Sequence, residues 1–195
     1  GTTDIIVQLP GLDESEFDRM KNLIAQTAQL EFHMVSDQDG TFFGTVELPA
    51  ESDEWRRRNG RPQSNVVGGT PEADAEALNR LREHFTAVDP PAGTMIAFLE
   101  VSQVDPTTGE FRPTGYQPML LDAETELTGE YITDARTGTY ARTNQPVVNM
   151  TFDAEGTRVF GQLTTDNVNR LMAIVLDDVV NSAPRINEPI LGGRC

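Results

Sequence analysis

The most constraining part of this chain is residues 147–186, where the hydrophobic pattern alternates, then turns helical, then runs apolar without a break. Val148, Met150 and Phe152 alternate as they do on one face of a strand. Asp153 to Asn169 predicts a helix that turns Phe160, Leu163 and Val168 inward. Leu171 to Leu176 is apolar at every position, the mark of a central strand covered on both faces. Asp177-Asp178 is placed for a two-residue hairpin turn into Val179-Val180. Strand, helix, central strand and hairpin in so short a span define a compact α+β unit. None of its residues is a plausible catalyst.

The other end of the chain opens in a similar way. Ile5 to Leu9 reads as a strand stopped by Pro10-Gly11, and a helix follows from about Asp13 with Phe17, Met20, Leu23 and Ile24 on one face. Leu30 to Met34 alternates strictly, which sends Leu30, Phe32 and Met34 to a core and Glu31 and His33 outward. The pattern then loosens from Ser36 to about Gly93. Residues 49–70 carry Pro49, Gly60, Pro62, Gly68 and Gly69 and predict an exposed excursion. Thr70-Pro71-Glu72 opens a helix whose apolar stripe is Leu78, Leu81 and Phe85. Met95 to Val101 predicts a buried strand, Asp105 to Gly109 a turn, and Met119 to Leu121 an extended piece. Asp134 to Gln145, rich in Thr, Gly and Arg, predicts a loop.

Charge and motif content narrow the function. Fifteen basic residues against 31 acidic ones leave a net charge of −16, and a phosphate backbone repels such a surface. Lys21 is the single lysine, and Arg56-Arg57-Arg58 with Arg61 is a short basic loop flanked by Asp53 and Glu54. No apolar run approaches the ~20 residues that cross a bilayer. Gly1-Thr2-Thr3, without an initiator Met or a leader, reads as the start of an excised soluble piece. Cys195 is the one cysteine, so no disulfide forms within the chain. His33 lies on a polar strand face and His84 at the solvent side of a helix end. No nucleophile elbow, phosphate loop or zinc motif is present. Asp37-x-Asp39-Gly40 hints at a calcium loop, but Leu48 stands where the bidentate Glu is needed, so the segment reads as a turn. The pairs Asp177-Asp178 and Glu124 with Glu126 are what so acidic a chain contains by chance. The expectation is a protein that is not an enzyme and holds no metal or cofactor. Phe152 and Phe160 read as core, whereas Tyr131 and Tyr140 fall in less regular segments and are candidates for a peptide-binding surface.

Several motifs, in order, resemble one family. They are Ile6-Val7-Gln8-Leu9-Pro10-Gly11, Thr27-Ala28-Gln29-Leu30-Glu31-Phe32, Leu127-Thr128-Gly129 with Ile132 and Ala135, Val148 to Phe152, Glu155-Gly156 and Phe160. Thr165, Asn167-Val168, Ala173 to Asp177, Ser182-Ala183-Pro184-Arg185-Ile186 and Pro189-Ile190 with Gly192-Gly193 continue the series. Together they resemble SecD, a subunit of the bacterial protein translocase, in its first large extracytoplasmic domain. Asn169 and Asp178 stand where that family usually has Gly, and both residue types tolerate left-handed backbone better than most. The resemblance implies an α+β fold of two lobes. A ferredoxin-like base, incomplete at its C-terminal end, would span residues 1–126 with a lineage-specific insertion at about 40–115. A strand-helix-hairpin head would span 127–195, on a hinge near 127–133 formed by Leu127, Thr128, Gly129 and Tyr131. It implies a domain on the extracytoplasmic side of the bacterial cytoplasmic membrane that binds unfolded secreted preprotein, with Tyr131, Tyr140 and Met150 as gripping positions. SecF and the SecYEG channel are the implied partners of the full-length protein, and no nucleic acid is implied. The alternative is an extracytoplasmic ligand-binding domain of a related resistance-nodulation-division exporter.

Overall fold

The computed structural model describes residues 30–47, 74–104, 111–125, 127–140, 145–176 and 178–193. The expected strand at 5–9, the helix from Asp13 and the excursion at 49–70 lie outside them. In chain order the elements are β1 (Leu30–Met34), α1 (Asp39–Phe43), α2 (Asp74–Phe85), β2 (Thr94–Val104), β3 (Phe111–Asp122), a 3-10 turn (Gly129–Tyr131), β4 (Ile132–Tyr140), β5 (Gln145–Phe152), α3 (Ala154–Asp166), β6 (Met172–Leu176) and β7 (Val179–Ser182). The fold is α+β. A five-stranded sheet runs β1-β6-β7-β2-β3, and β4 and β5 form a separate two-stranded ribbon. All sheet neighbours are antiparallel except β2 and β7.

The sheet sorts its side chains by parity. Leu30, Phe32 and Met34 of β1 pair with Leu176, Ile174 and Met172 of β6. These six meet Val148, Met150 and Phe152 of the ribbon and Val159 and Phe160 of α3 in a first core. Its centre is aromatic: the rings of Phe32, Phe152 and Phe160 lie 4.9–6.3 Å apart, so β1, β5 and α3 meet at one point. A second core lies on the same sheet face, where α1 and α2 bring Phe43, Leu78, Leu81 and Phe85 onto Phe98 and Leu120. The residues between form a third cluster of Val35, Ala97, Met119, Leu121, Ala173, Val175 and Val180, to which none of the described helices contributes. It gathers residues from both ends of the strand order because the sheet curls until its edges meet. Val35 bridges Leu121, and the Ser36 N–H donates to the Leu120 carbonyl at 2.9 Å.

Local chemistry fixes the C-terminal unit. Asp153 caps α3, its carboxylate accepting from the Gly156 N–H at 2.7 Å. Buried Thr164 donates to the Phe160 carbonyl at 2.8 Å and accepts from the Ile190 N–H at 2.9 Å, which fastens the last segment across the helix. Asp178 makes the β6–β7 turn with φ of 64°, and Asn169 precedes β6 with φ of 71°, so both positions are left-handed as glycine would be.

Three expectations are corrected and a fourth is placed in the fold. Residues 134–140 are strand β4, not loop, because pairing with β5 outweighs Gly138 and the mixed polar pattern. His33 does not face outward: the curled sheet turns its face inward, and the residue is 2% exposed. The lineage-specific insertion expected at about 40–115 contributes to the sheet, since β2 lies between β7 and β3. Finally, β1 and β6 share one sheet, so residues 30–34 do not occupy a lobe apart from 147–190.

Candidate hinge and gripping surface

The segment expected to act as the hinge is fastened at both ends. Leu127 has no exposed surface and belongs to the first core. Its carbonyl accepts from the Phe32 N–H at 3.1 Å, and the Thr125 hydroxyl donates to the Phe32 carbonyl. Thr128 then bridges Glu31. Three residues on, the Tyr131 carbonyl accepts from the Asp153 N–H at 2.8 Å, which ties the turn to the N-terminus of α3. Gly156 makes that approach possible. A Cβ there would stand 2.5 Å from the Tyr131 Cβ and 3.2 Å from that of Phe152. Gly193 plays a matching part, with φ of +65° and the Thr157 side chain against its backbone. Its carbonyl accepts from the Phe152 N–H at 2.9 Å. Leu127, Tyr131 and Ile132 thus pack in the same core as β1 and α3, and Leu127–Tyr131 lies inside one packed body in this conformation.

A polar corner holds the sheet's two edges together. The His33 ring lies with Nδ1 2.9 Å from the Asp122 carbonyl and Nε2 3.0 Å from the Glu31 carboxylate. Arg170, just before β6, donates to the Val35 carbonyl at 3.1 Å, the Asp122 carboxylate at 3.2 Å and the Asn167 side-chain oxygen at 2.6 Å. One guanidinium thereby joins the ends of β1, β3 and α3. Nearby, Asp39 accepts from the Leu120 N–H at 2.7 Å, which gives the former calcium-loop candidate a structural partner. Burial pushes its carboxyl above the ordinary 3.8, and the Leu120 hydrogen bond opposes that rise.

Two of the three expected gripping positions belong to the first core or its margin. Met150 is 3% exposed and sits in the first core, turned there by the same alternation that orients Val148 and Phe152. Tyr131 is half-buried and packs against that core. Tyr140 ends β4 opposite Gln145. Among the described residues the one large hydrophobic side chain left exposed is Leu191. Sequence reading missed the edge of β4 and the His33–Asp122–Arg170 corner. The β-branched Thr133, Thr137 and Thr139 were the available signal for β4. No local signal reveals the corner, because its members lie far apart in the chain.

Two family models match in order along the chain. The N-terminal part of the SecDF P1 domain matches residues 1–37, and the SecDF P1 head subdomain matches residues 105–195. The chain belongs to the SecD family. Residues 38–104, with α1, α2 and β2, fall outside both matches. The protein translocase subunit SecD of Rhodothermus marinus is 32% identical over an alignment 240 positions long, covering 100% of this chain and 36% of the relative. That of Calditerrivibrio nitroreducens is 30% identical and covers 100% and 29%. The chain therefore spans about a third of the length of the curated relatives it matches. A solved SecDF described as a membrane component that enhances protein export is 24% identical over 96% of this chain and 62% of its own, with a TM-score of 0.41. SecDF of Thermus thermophilus, a translocon-associated membrane protein, is 25% identical over 100% and 21%, with a TM-score of 0.37. These superpositions are loose. No described helix is long and apolar enough to cross a membrane.

Proposed function

We propose that this chain is the extracytoplasmic P1 region of a SecD subunit, which holds an emerging unfolded preprotein and changes orientation to support export driven by the proton-motive force. The observation that carries this reading is the ordered pair of P1 matches, N-terminal part first and head last, on a chain whose relatives are translocase subunits. In this reading the chain catalyses no reaction. It works with SecF and the SecYEG channel through the remainder of the subunit, where the proton-coupled step takes place. Holding a chain does net work only if two orientations, separated by a few kcal/mol, are biased differently by an energy source elsewhere. The packing described above supports a particular kind of movement. Breaking the β1–β6 pairing and the Phe32–Phe152–Phe160 core would cost far more than such a small gap, so the body reorients as a unit against the rest of the subunit.

The test uses membrane vesicles containing the channel and the full-length subunit. A preprotein halted late in transit carries a photoreactive residue in its emerged part. Adducts to the segment represented by this chain are expected, with a pattern that changes when the proton-motive force is collapsed. Adducts confined to other parts of the assembly, under conditions where late export depends on the subunit, would contradict the reading.

A further inference from the structure

We propose that the holding surface is the outer edge of β4, and that an extended polypeptide adds to it as a third strand of the ribbon through main-chain hydrogen bonds. The inference rests on the reading that this chain holds an unfolded preprotein, and it supplies the mode. A free strand edge is a row of unpaired N–H and C=O groups that accepts an extended chain regardless of its side chains. That is the recognition chemistry needed for cargo of every sequence.

The four strand edges differ in how they are guarded. The edge of β1 is taken up by Leu127, Thr128 and Leu121. Strand β3 carries Pro113 and Pro118, and its register shifts where Val101 pairs Gly115 but Ser102 pairs Pro113. Prolines and bulges are the devices that keep edges from recruiting other chains. In β5, Pro146 lacks a donor and the Phe152 N–H is already bonded to Gly193. Strand β4 has nine residues and no proline, its one register shift falls at its start between Ile132 and Asp134, and among the described residues it pairs with β5 alone. One ribbon face is fixed by Ala135, Val148, Met150 and Phe152 in the first core, so from Asp134 onward the strand lies on a packed support. Its other face exposes Asp134 and Arg136, which pair with each other at 2.7 Å. That pairing leaves the edge locally neutral within an acidic protein, so neither acidic nor basic cargo is repelled there. The occupant is an unfolded polypeptide in extended form.

The experiment uses this chain and a soluble, unstructured ten-residue peptide of mixed Ser, Thr, Val and Gln. Two further versions carry N-methyl groups on every second residue, in opposite phases. Binding is read by titration, and its location by amide exchange measured by NMR. The unmodified peptide and one methylated phase are expected to bind alike. The other phase should bind at least about tenfold more weakly, the effect of losing one or more main-chain hydrogen bonds. New protection should fall on alternate amides of residues 132–140. Equal binding by all three peptides would overturn the main-chain mode while leaving the holding function intact. Protection on residues 111–122 instead would overturn the choice of edge. No binding of any version would overturn both this proposal and the reading it rests on.

Discussion

At the scale of single residues, this fold records two kinds of compromise. Asp178 sits at φ of 64°, a conformation that costs a residue with a Cβ more than it costs glycine. Asp178→Gly should therefore stabilise the chain by about 0.5–1 kcal/mol, after the added freedom of the unfolded glycine is counted. Asn169, at φ of 71°, tolerates the left-handed region better, so Asn169→Gly should give a smaller gain. Chemical denaturation midpoints of the two variants check both the size and the order. Asp39 is the second compromise. Burial raises its carboxyl in the folded state, so the folded form binds the proton more tightly than the unfolded one. Its contribution is fully present below the unfolded value and is lost as pH rises through the folded one. Asp39→Asn keeps the oxygen that accepts from Leu120 and removes the titration. Its stability relative to the parent should climb as pH is raised from about 4 to about 7. Urea midpoints of both proteins across that range measure it, and a flat difference would contradict it.

At the scale of elements, what was legible was periodic and local. The helix at 154–166, the strands at 148–152 and 172–176 and the Asp178 turn were all readable, because alternation, a capping Asp153 and an unbroken apolar run are local signals. So was the stripe of Leu78, Leu81 and Phe85, which lies buried in the second core. What could not be read depends on partners distant in sequence. Strand β4 is a strand because β5 lies beside it, and His33 is buried because Asp122, 89 residues away, closes over it. Met150 carries the same lesson: the alternation that made its strand recognisable also directs it inward, away from any gripping role. The Glu155-Gly156 pair was visible as a motif, but its reason appears only where the Tyr131 turn meets the helix. Gly156→Ala should destabilise by about 1–3 kcal/mol, although alanine favours an ordinary helical site, because the new methyl meets the Tyr131 and Phe152 Cβ atoms. A thermal midpoint several degrees below the parent checks this; an increase would mean that the turn gives way.

At the scale of the whole molecule, the account turns on a body in which β1 and the C-terminal elements share one sheet and one aromatic core. Sequence alone suggested two lobes with Leu127–Tyr131 as a hinge between them, and the packing places that segment within a single core. The direct measurement is a disulfide between Glu31→Cys and Thr128→Cys, with Cys195→Ser to remove the native thiol. These residues are bridge partners, at the Cα separation of about 4.5–5.5 Å that antiparallel pairing imposes and a disulfide accepts. The single-cysteine variants control for the lost Glu31 carboxylate. In the full-length subunit the account predicts that this crosslink forms quantitatively. Late export driven by the proton-motive force should then continue at the rate of the reduced protein, because the two residues move together. Failure of the crosslink to form in the folded protein would contradict the account. So would a block of late export that reduction relieves, since it would show that β1 and the Leu127–Tyr131 segment must separate during transport.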